Sequence, residues 1–371
     1  MKIRKVDLIH IVLPIKEPFV TGCGVVCDRH VIVTKLYADQ GVGFGEVDCN
    51  FDPIYSYETT GTALDVLEQW VIPRVLGKEI AEPAELVAMI EDIRGHNMAK
   101  SGLELAFWDV YSKIKGQTIA NLLGGKRKAI VSGVSVGMKD SIQQVIADCE
   151  GFLEKGYQRL KVKVRPGKDV EVIRALRTRF PDVMMMADAN SSYRLDRPGH
   201  VDALRALDEF NLTMIEQPLQ DDDIVWHRHL QKQLKTPICL DEAIHTPDDA
   251  KKAIELGSCG VINIKVSRVG GLVKAKQVHD ICQEAGIPVW VGSMLESGIG
   301  EAYNIHLAAL ENCTLPGDVA PSDRYFTDDL IEPLCQIHKD GTIDVPSAPG
   351  MGFEVDEEKL KKYAVETVTV G

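Results

Sequence analysis

The chain has 371 residues, a net charge of −13, a hydrophobic fraction of 45% and a charged fraction of 26%. These values exclude a disordered or collagen-like chain, and the acidic balance argues against a general polyanion binder, because phosphate contacts need clustered basic side chains. Mean hydropathy is −0.06 and no apolar run reaches about 18 residues, so no membrane partner is expected.

The N-terminal MKIRKVDLIHIVLPIKEPF carries charge pairs and no small-residue cleavage site, so no signal peptide is expected. Strands are expected over Lys2–Leu8 and His30–Ala38, with Thr21-Gly22-Cys23-Gly24 and Gly41-Val42-Gly43 as turns. Helices are expected over Ser56–Val71, Pro83–Arg94 and Ala99–Lys115, giving an α+β region over 1–125. From about residue 130 short apolar runs alternate with helical patterns: Val131–Val136, Leu160–Val164, Val183–Ala187, Thr213–Ile215, Ile238–Leu240, Val261–Ile264 and Ile287–Val291. The intervening helices are expected over Gln143–Glu154, Asp169–Arg179, Arg197–Phe210, Trp226–Leu234, Pro247–Leu256 and Leu272–Ala285. Near-continuous apolar strands joined by helices mean parallel pairing with both faces covered. With an eighth strand near Pro316–Ala320 the pattern predicts an α/β fold, a (β/α)8-type barrel over 126–325. The segment 326–371 is expected to return to the N-terminal cap. An open doubly wound sheet is the alternative, but no glycine-rich phosphate fingerprint follows the first strand.

In such a barrel, chemistry sits at the C-terminal strand ends. There the sequence offers Lys161 and Lys163, then Asp188 and Asn190, then Glu216, then Asp241, then Lys265. Three carboxylates on adjacent strands repel one another unless a cation joins them, and an all-oxygen set suits Mg²⁺, with Mn²⁺ as a substitute. Taken singly, each acid would read as a helix cap. Lys161 and Lys163 share a strand face, and their mutual repulsion is expected to lower the pKa of one towards that of a base. Mg²⁺ with lysine bases suits proton removal from carbon beside a carboxylate, because the resulting enediolate needs electrostatic stabilisation.

The motifs KVKV (161–164), MADANSSY (186–193), IEQP (215–218), LDE (240–242), INIKVSRVGG (262–271) and GSMLESGIG (292–300) resemble the muconate-cycloisomerase subgroup of the enolase superfamily. With KEPF (16–19), RGHNMAKSGLELAFWD (94–109), LPGD (315–318) and SDRYF (322–326), the chain is closer still to o-succinylbenzoate synthases shared with N-succinylamino acid racemases. The resemblance implies Lys163 and Lys265 as acid/base lysines, Asp188, Glu216 and Asp241 as Mg²⁺ ligands, and a cap loop near 21–24 and 48–55 that closes over substrate. The chain departs from the family at Gly22-Cys23-Gly24, at Gly292-Ser293 and near Pro321, all in regions expected to touch substrate. Lys161, Asn190, Ser135, Arg268, Cys23 and Phe51 are the expected substrate-binding residues.

Two reactions fit. One is a lyase that dehydrates a cyclohexadiene carboxylate to o-succinylbenzoate on the way to menaquinone; the other is racemisation of N-acyl, especially N-succinyl, amino acids. A dipeptide epimerase fits less well, since 317–320 lacks a D-x-D pair; a cycloisomerase is a further alternative, and a non-catalytic barrel would have lost one of the five polar residues. The expected partner is a small carboxylate, with no nucleic acid, in a cytoplasmic homo-oligomer. The nine cysteines are expected to be free or structural thiols. Trp226-His227-Arg228-His229 lies in a helical pattern, and both histidines are expected at the surface. Gly270-Gly271 is expected to turn into the next helix rather than to cradle a phosphate.

Overall fold

A computed structural model describes residues 1–21 and 24–371. The N-terminal hairpin is far longer than the apolar patches alone indicate: Ile3–Val20 pairs antiparallel with Val25–Ala38. A third strand, Gly41–Val47, follows directly. The glycines expected to make a turn at 41–43 instead open this strand. Their small size serves packing: a Cβ on Gly43 would stand 2.2 Å from the Ala106 carbonyl oxygen, and one on Gly45 2.2 Å from that of Gly102. The helix Asn97–Lys115 lies flat on the strand because these side chains are absent. The C-terminal strand Ala364–Val370 pairs with Ile3–Val20 and completes a four-stranded cap sheet, so the tail does return to the cap.

The helix expected from Ser56 begins at Thr60, where the Thr59 side chain and Thr62 form a capping box, and it runs on through a π turn to Val75. The one expected from Pro83 to Arg94 stops at Met89.

Seven parallel strands build the barrel, in chain order: Val134–Val136, Arg159–Lys163, Met184–Asp188, Ile215–Glu216, Ile238–Leu240, Val261–Ile264 and Val289–Val291. The stretch expected as one strand over 131–136 divides, and Ala129–Val131 pairs with Thr342–Asp344. The eighth position is closed by single backbone bonds. Gly317 N–H donates to Val131 O at 3.1 Å, Gly133 N–H to Gly317 O at 2.7 Å, and Asp318 N–H to Val291 O at 2.9 Å. One helix, Gly298–Ala308, was not foreseen. It is buried along its whole length between barrel and cap, so it carries no polar face and no amphipathic period. His227 is a second correction: it is buried, its Nε2 accepts from Leu219 N–H at 3.1 Å, and burial holds its pKa down at about 4. His229 is exposed as expected.

Candidate active site

The strand ends place the five expected residues at one end of the barrel, with Lys163 and Lys265 facing one cavity. Backbone register sets Lys163 beside Asp188, and Asp188 beside Glu216. Lys163 Nζ donates to Asp188 Oδ2 at 2.6 Å and to Asn190 Oδ1 at 2.8 Å. On the other side Lys265 Nζ lies 3.1 Å from Asp241 Oδ2 and 2.6 Å from the Tyr55 hydroxyl. Both lysines line a cavity of about 90 Å³ under the cap, together with Lys161, Asn190, Ser135 and Asp318. The buried Ser135 Oγ has no hydrogen-bond partner and so offers that cavity a free hydroxyl.

Lys161 does not behave as the K-x-K spacing suggests. Burial opposes its charge, but Asp318, Glu216 and Asp188 outweigh burial and hold its pKa well above the ordinary lysine value. Its ammonium lies 2.5 Å from Asp318 Oδ2, 3.2 Å from Asp188 Oδ2 and 3.3 Å from Glu216 Oε2. It is a fixed cation and not a lowered base, because three carboxylates face it where the spacing argument counted only Lys163. Asp318 escaped sequence reading. It stands on the short eighth segment, where no apolar run marks a strand end, and Arg159 Nη2 holds it at 2.6 Å.

The carboxylates divide electrostatically. Burial would raise the pKa of Asp188 and Asp241, but Lys163 and Lys161 overcome it at the first, and Arg268 and Lys265 at the second, so both stay below the usual carboxylate range. Glu216 is driven well above its ordinary value by burial and by Asp188. Among the described residues no three acidic, histidine or cysteine side chains are gathered at metal-ligand spacing; the ammonium groups stand between the acids. The donor set still fits a hard cation. It is all oxygen, and the buried Glu216 Oε2 has no hydrogen-bond partner while Oε1 accepts from Asn263 at 2.8 Å.

Two expected contacts, Arg268 and Phe51, fall elsewhere. Arg268 does not line the cavity; its guanidinium is engaged by Asp241 Oδ1 at 2.6 Å, Ile244 O at 3.1 Å and the Tyr55 hydroxyl at 3.2 Å. It holds Asp241. Phe51 is 65% exposed and lies against His30 in a tilted ring contact with centroids 4.7 Å apart. The flanking Asn50 and Tyr55 turn inward in its place. Cys23 lies outside the described residues. Gly270 and Gly271 do turn into the helix Leu272–Glu284, and the anion on its first N–H groups is internal: the Glu104 carboxylate accepts from Leu272 and Val273 at 3.0 and 2.9 Å.

Comparison with known proteins agrees with this geometry. Residues 3–124 match the family model for the mandelate racemase / muconate lactonizing enzyme N-terminal domain, and residues 144–359 match the enolase C-terminal domain-like model. An o-succinylbenzoate synthase of Geobacillus kaustophilus is 47% identical over 98% of this chain and 96% of its own. An N-succinylamino acid racemase of Thermus thermophilus is 41% identical over 100% and 98%. A solved member of the enolase superfamily from Listeria innocua superposes with a TM-score of 0.95 at 36% identity, covering 100% of this chain and 99% of that one.

Proposed function

Because the chain belongs to the enolase superfamily, we propose that it removes the proton alpha to a substrate carboxylate, with o-succinylbenzoate synthesis by dehydration as its principal reaction. The observation that carries this is the pair Lys163 and Lys265, which line one cavity from opposite sides of Asp188, Glu216 and Asp241. Superfamily members depend on Mg²⁺ in general. In this chain Asp188, Glu216 and Asp241 are the residues proposed to hold one Mg²⁺ per subunit, with Mn²⁺ as a substitute. When bound, the ion supplies positive charge for the substrate's carboxylate oxygens.

The chain's own groups then divide the work. Lys163 takes the alpha proton, and its bonds to Asp188 and Asn190 fix its amine at the cavity floor. Lys161, held protonated, adds a fixed positive charge beside the developing enediolate. Ser135 offers its hydroxyl to the substrate. In dehydration Lys163 returns the proton it has taken to the departing hydroxide, so that water leaves and the amine is regenerated, and Lys265 remains as a cation near the ring.

A racemase of N-succinyl amino acids is the second reading, favoured by the same cavity: a lysine on each side can remove and return a proton on opposite faces of one carbon. The enzyme is further proposed to work in the cytoplasm as a homo-oligomer on a small carboxylate, without nucleic acid or membrane. The eight described cysteines are all free, and no helix among the described residues is long and apolar enough to cross a membrane. The test is turnover of purified protein with Mg²⁺ on the cyclohexadiene carboxylate and on both enantiomers of N-succinyl amino acids. Activity on neither substrate class rejects the proposal.

A further inference from the structure

We infer that Glu242 is a positioning residue for Lys163, acting through the side-chain amide of Asn190. Glu242 follows the third carboxylate of the mouth, yet it does not line the cavity. It is 4% exposed, Oε1 accepts from Asn190 Nδ2 at 3.0 Å, and Oε2 is buried with no hydrogen-bond partner. A buried carboxylate with half its accepting capacity unused is costly to maintain, and that cost calls for a reason.

The reason lies in the two-sided chemistry of an amide. Asn190 can present either an acceptor oxygen or a donor NH2 to Lys163. A carboxylate oxygen accepts, so Glu242 draws the Asn190 NH2 to itself and leaves Oδ1 facing Lys163 at 2.8 Å. With the amide reversed, two donors would meet and Lys163 would lose one of its two anchors. The backbone is committed to the same end: Asn190 has φ +39°, a left-handed conformation that asparagine tolerates, and its N–H donates to Asp188 Oδ1 at 3.0 Å. Lys265 is anchored differently, by Asp241 and by Tyr55 from the cap. The two lysines thus rest on separate hydrogen-bond supports; Glu242 bonds into the first of them and reaches Lys265 and Arg268 only through its charge.

This rests on the two-lysine reading above, and one experiment separates the two. Deuterium uptake at the alpha carbon is followed in D2O with saturating Mg²⁺, starting from each pure enantiomer of an N-succinyl amino acid. Lys163→Ala identifies the enantiomer whose alpha hydrogen faces Lys163. In Glu242→Leu, which leaves no acceptor, uptake from that enantiomer is expected to fall about 10²-fold, while uptake from the other changes by no more than about threefold. Glu242→Gln keeps an acceptor oxygen without the charge, but can also turn its own NH2 to Asn190, so a skew of about fivefold on the same face is expected. If the Leu variant does not fold, the skew in the Gln variant decides. Equal losses from both enantiomers, no skew in either variant, or identical behaviour of folded Gln and Leu variants overturns the inference, the last because charge alone would then explain the effect. A wild-type enzyme that takes up deuterium from neither enantiomer overturns the two-lysine reading, and the inference with it.

Discussion

At the scale of single residues, the mouth is a packed lattice of opposite charges in which few side chains keep a free hand. Lys163 and Lys265 each spend bonds on a proposed metal ligand, yet each still borders the cavity. Replacing either with alanine is expected to lower racemisation by about 10²–10⁴-fold, since each face needs its own proton carrier. Wild-type racemisation rates in Lys265→Ala would end the two-base assignment. Asp318 has a different part. It lies between Arg159 and Lys161, both buried, so Asp318→Ala takes the carboxylate partner from Arg159 and leaves Lys161 to Asp188 and Glu216. Removing one partner from such a buried set costs about 3–5 kcal/mol, to be read from the urea midpoint at constant m-value. A loss below about 1 kcal/mol, the range of an exposed pair, would show that solvent reaches these cations after all. The five strand-end residues were legible in the sequence because each ends a short apolar run. Asp318, Asn263 and Gln217 were not. Gln217 accepts from Asp241 N–H at 2.9 Å, but a glutamine or asparagine in such a role looks like any other polar residue until its partner is known.

Elements explain why the cap loops resisted the sequence. Period-two alternation marks only part of the first hairpin; the rest is set by pairing across the sheet and by contact with the barrel, where Lys16 N–H donates to Tyr325 O at 2.8 Å and Met138 N–H to Val20 O at 3.1 Å. The loop 48–55 is clamped from beneath. Arg29 donates to Asp48 O and Asn50 Oδ1, both at 2.6 Å, and to Leu295 O at 3.1 Å, tying one strand of the cap to that loop and to the barrel. The loop was recognised as a roof, but the residue within it was misjudged: Phe51 points to solvent and Tyr55 to the lysine. An aromatic ring is no guide to which side of a loop it takes when the period is lost. Phe51→Ala is therefore expected to leave the ratio of kcat/KM among N-acyl substrates unchanged within about twofold, as for a surface substitution. Tyr55→Phe, which removes one hydroxyl from Lys265 and Arg268, is expected to lower kcat about tenfold on the Lys265 face, as lost positioning does. A specificity change in the Phe51 variant with none in the Tyr55 variant would reverse this assignment.

For the molecule as a whole, the regular strand–helix alternation made the barrel legible, because burial on both faces leaves an unbroken apolar run. What joins cap to barrel was not legible, because it is acidic. Glu46 and Asp48 from the cap meet Glu296 and Glu301 from the barrel, all four buried, and acids in a sequence read as surface. Backbone and hydroxyl donors satisfy part of the group: Ser297 N–H donates to Glu46 Oε1 at 2.9 Å, and Asn304 Nδ2 donates to Glu296 and Glu301 at 3.0 and 3.1 Å. Asp48 Oδ1 has no hydrogen-bond partner among the described residues, and Arg29 is the cation that acts on Asp48.

That arrangement ties stability to pH. Burial, with Glu46 and Glu296 as neighbours, pushes Asp48 well above the ordinary carboxylate range; burial and Glu296 do the same for Glu301. The folded cluster therefore keeps protons that the unfolded chain has released. A group whose folded pKa is raised loses its stabilising contribution as pH rises through that folded value. Between pH 7 and 8 the buried Glu104 and Glu242, both raised to about 7, titrate as well, so the share of the cluster is read as the difference in slope between the wild type and a cluster variant. Buried His227 and His306, held at about 4, are neutral when folded, and buried thiols such as Cys149, raised to about 12, stay protonated while the unfolded thiols begin to ionise, a contribution common to the wild type and the variant. With Mg²⁺ saturating, so that Glu216 stays ionised, unfolding free energy is expected to fall from pH 7 to pH 8 by about 1.4 kcal/mol for each proton the cluster retains. Asp48→Asn carries the neutral form permanently and is expected to flatten that slope while keeping the pH 7 stability. Urea unfolding at the two pH values measures both. A wild-type free energy that does not change between them, or an Asp48→Asn slope equal to that of the wild type, would mean that the junction holds its four acids ionised.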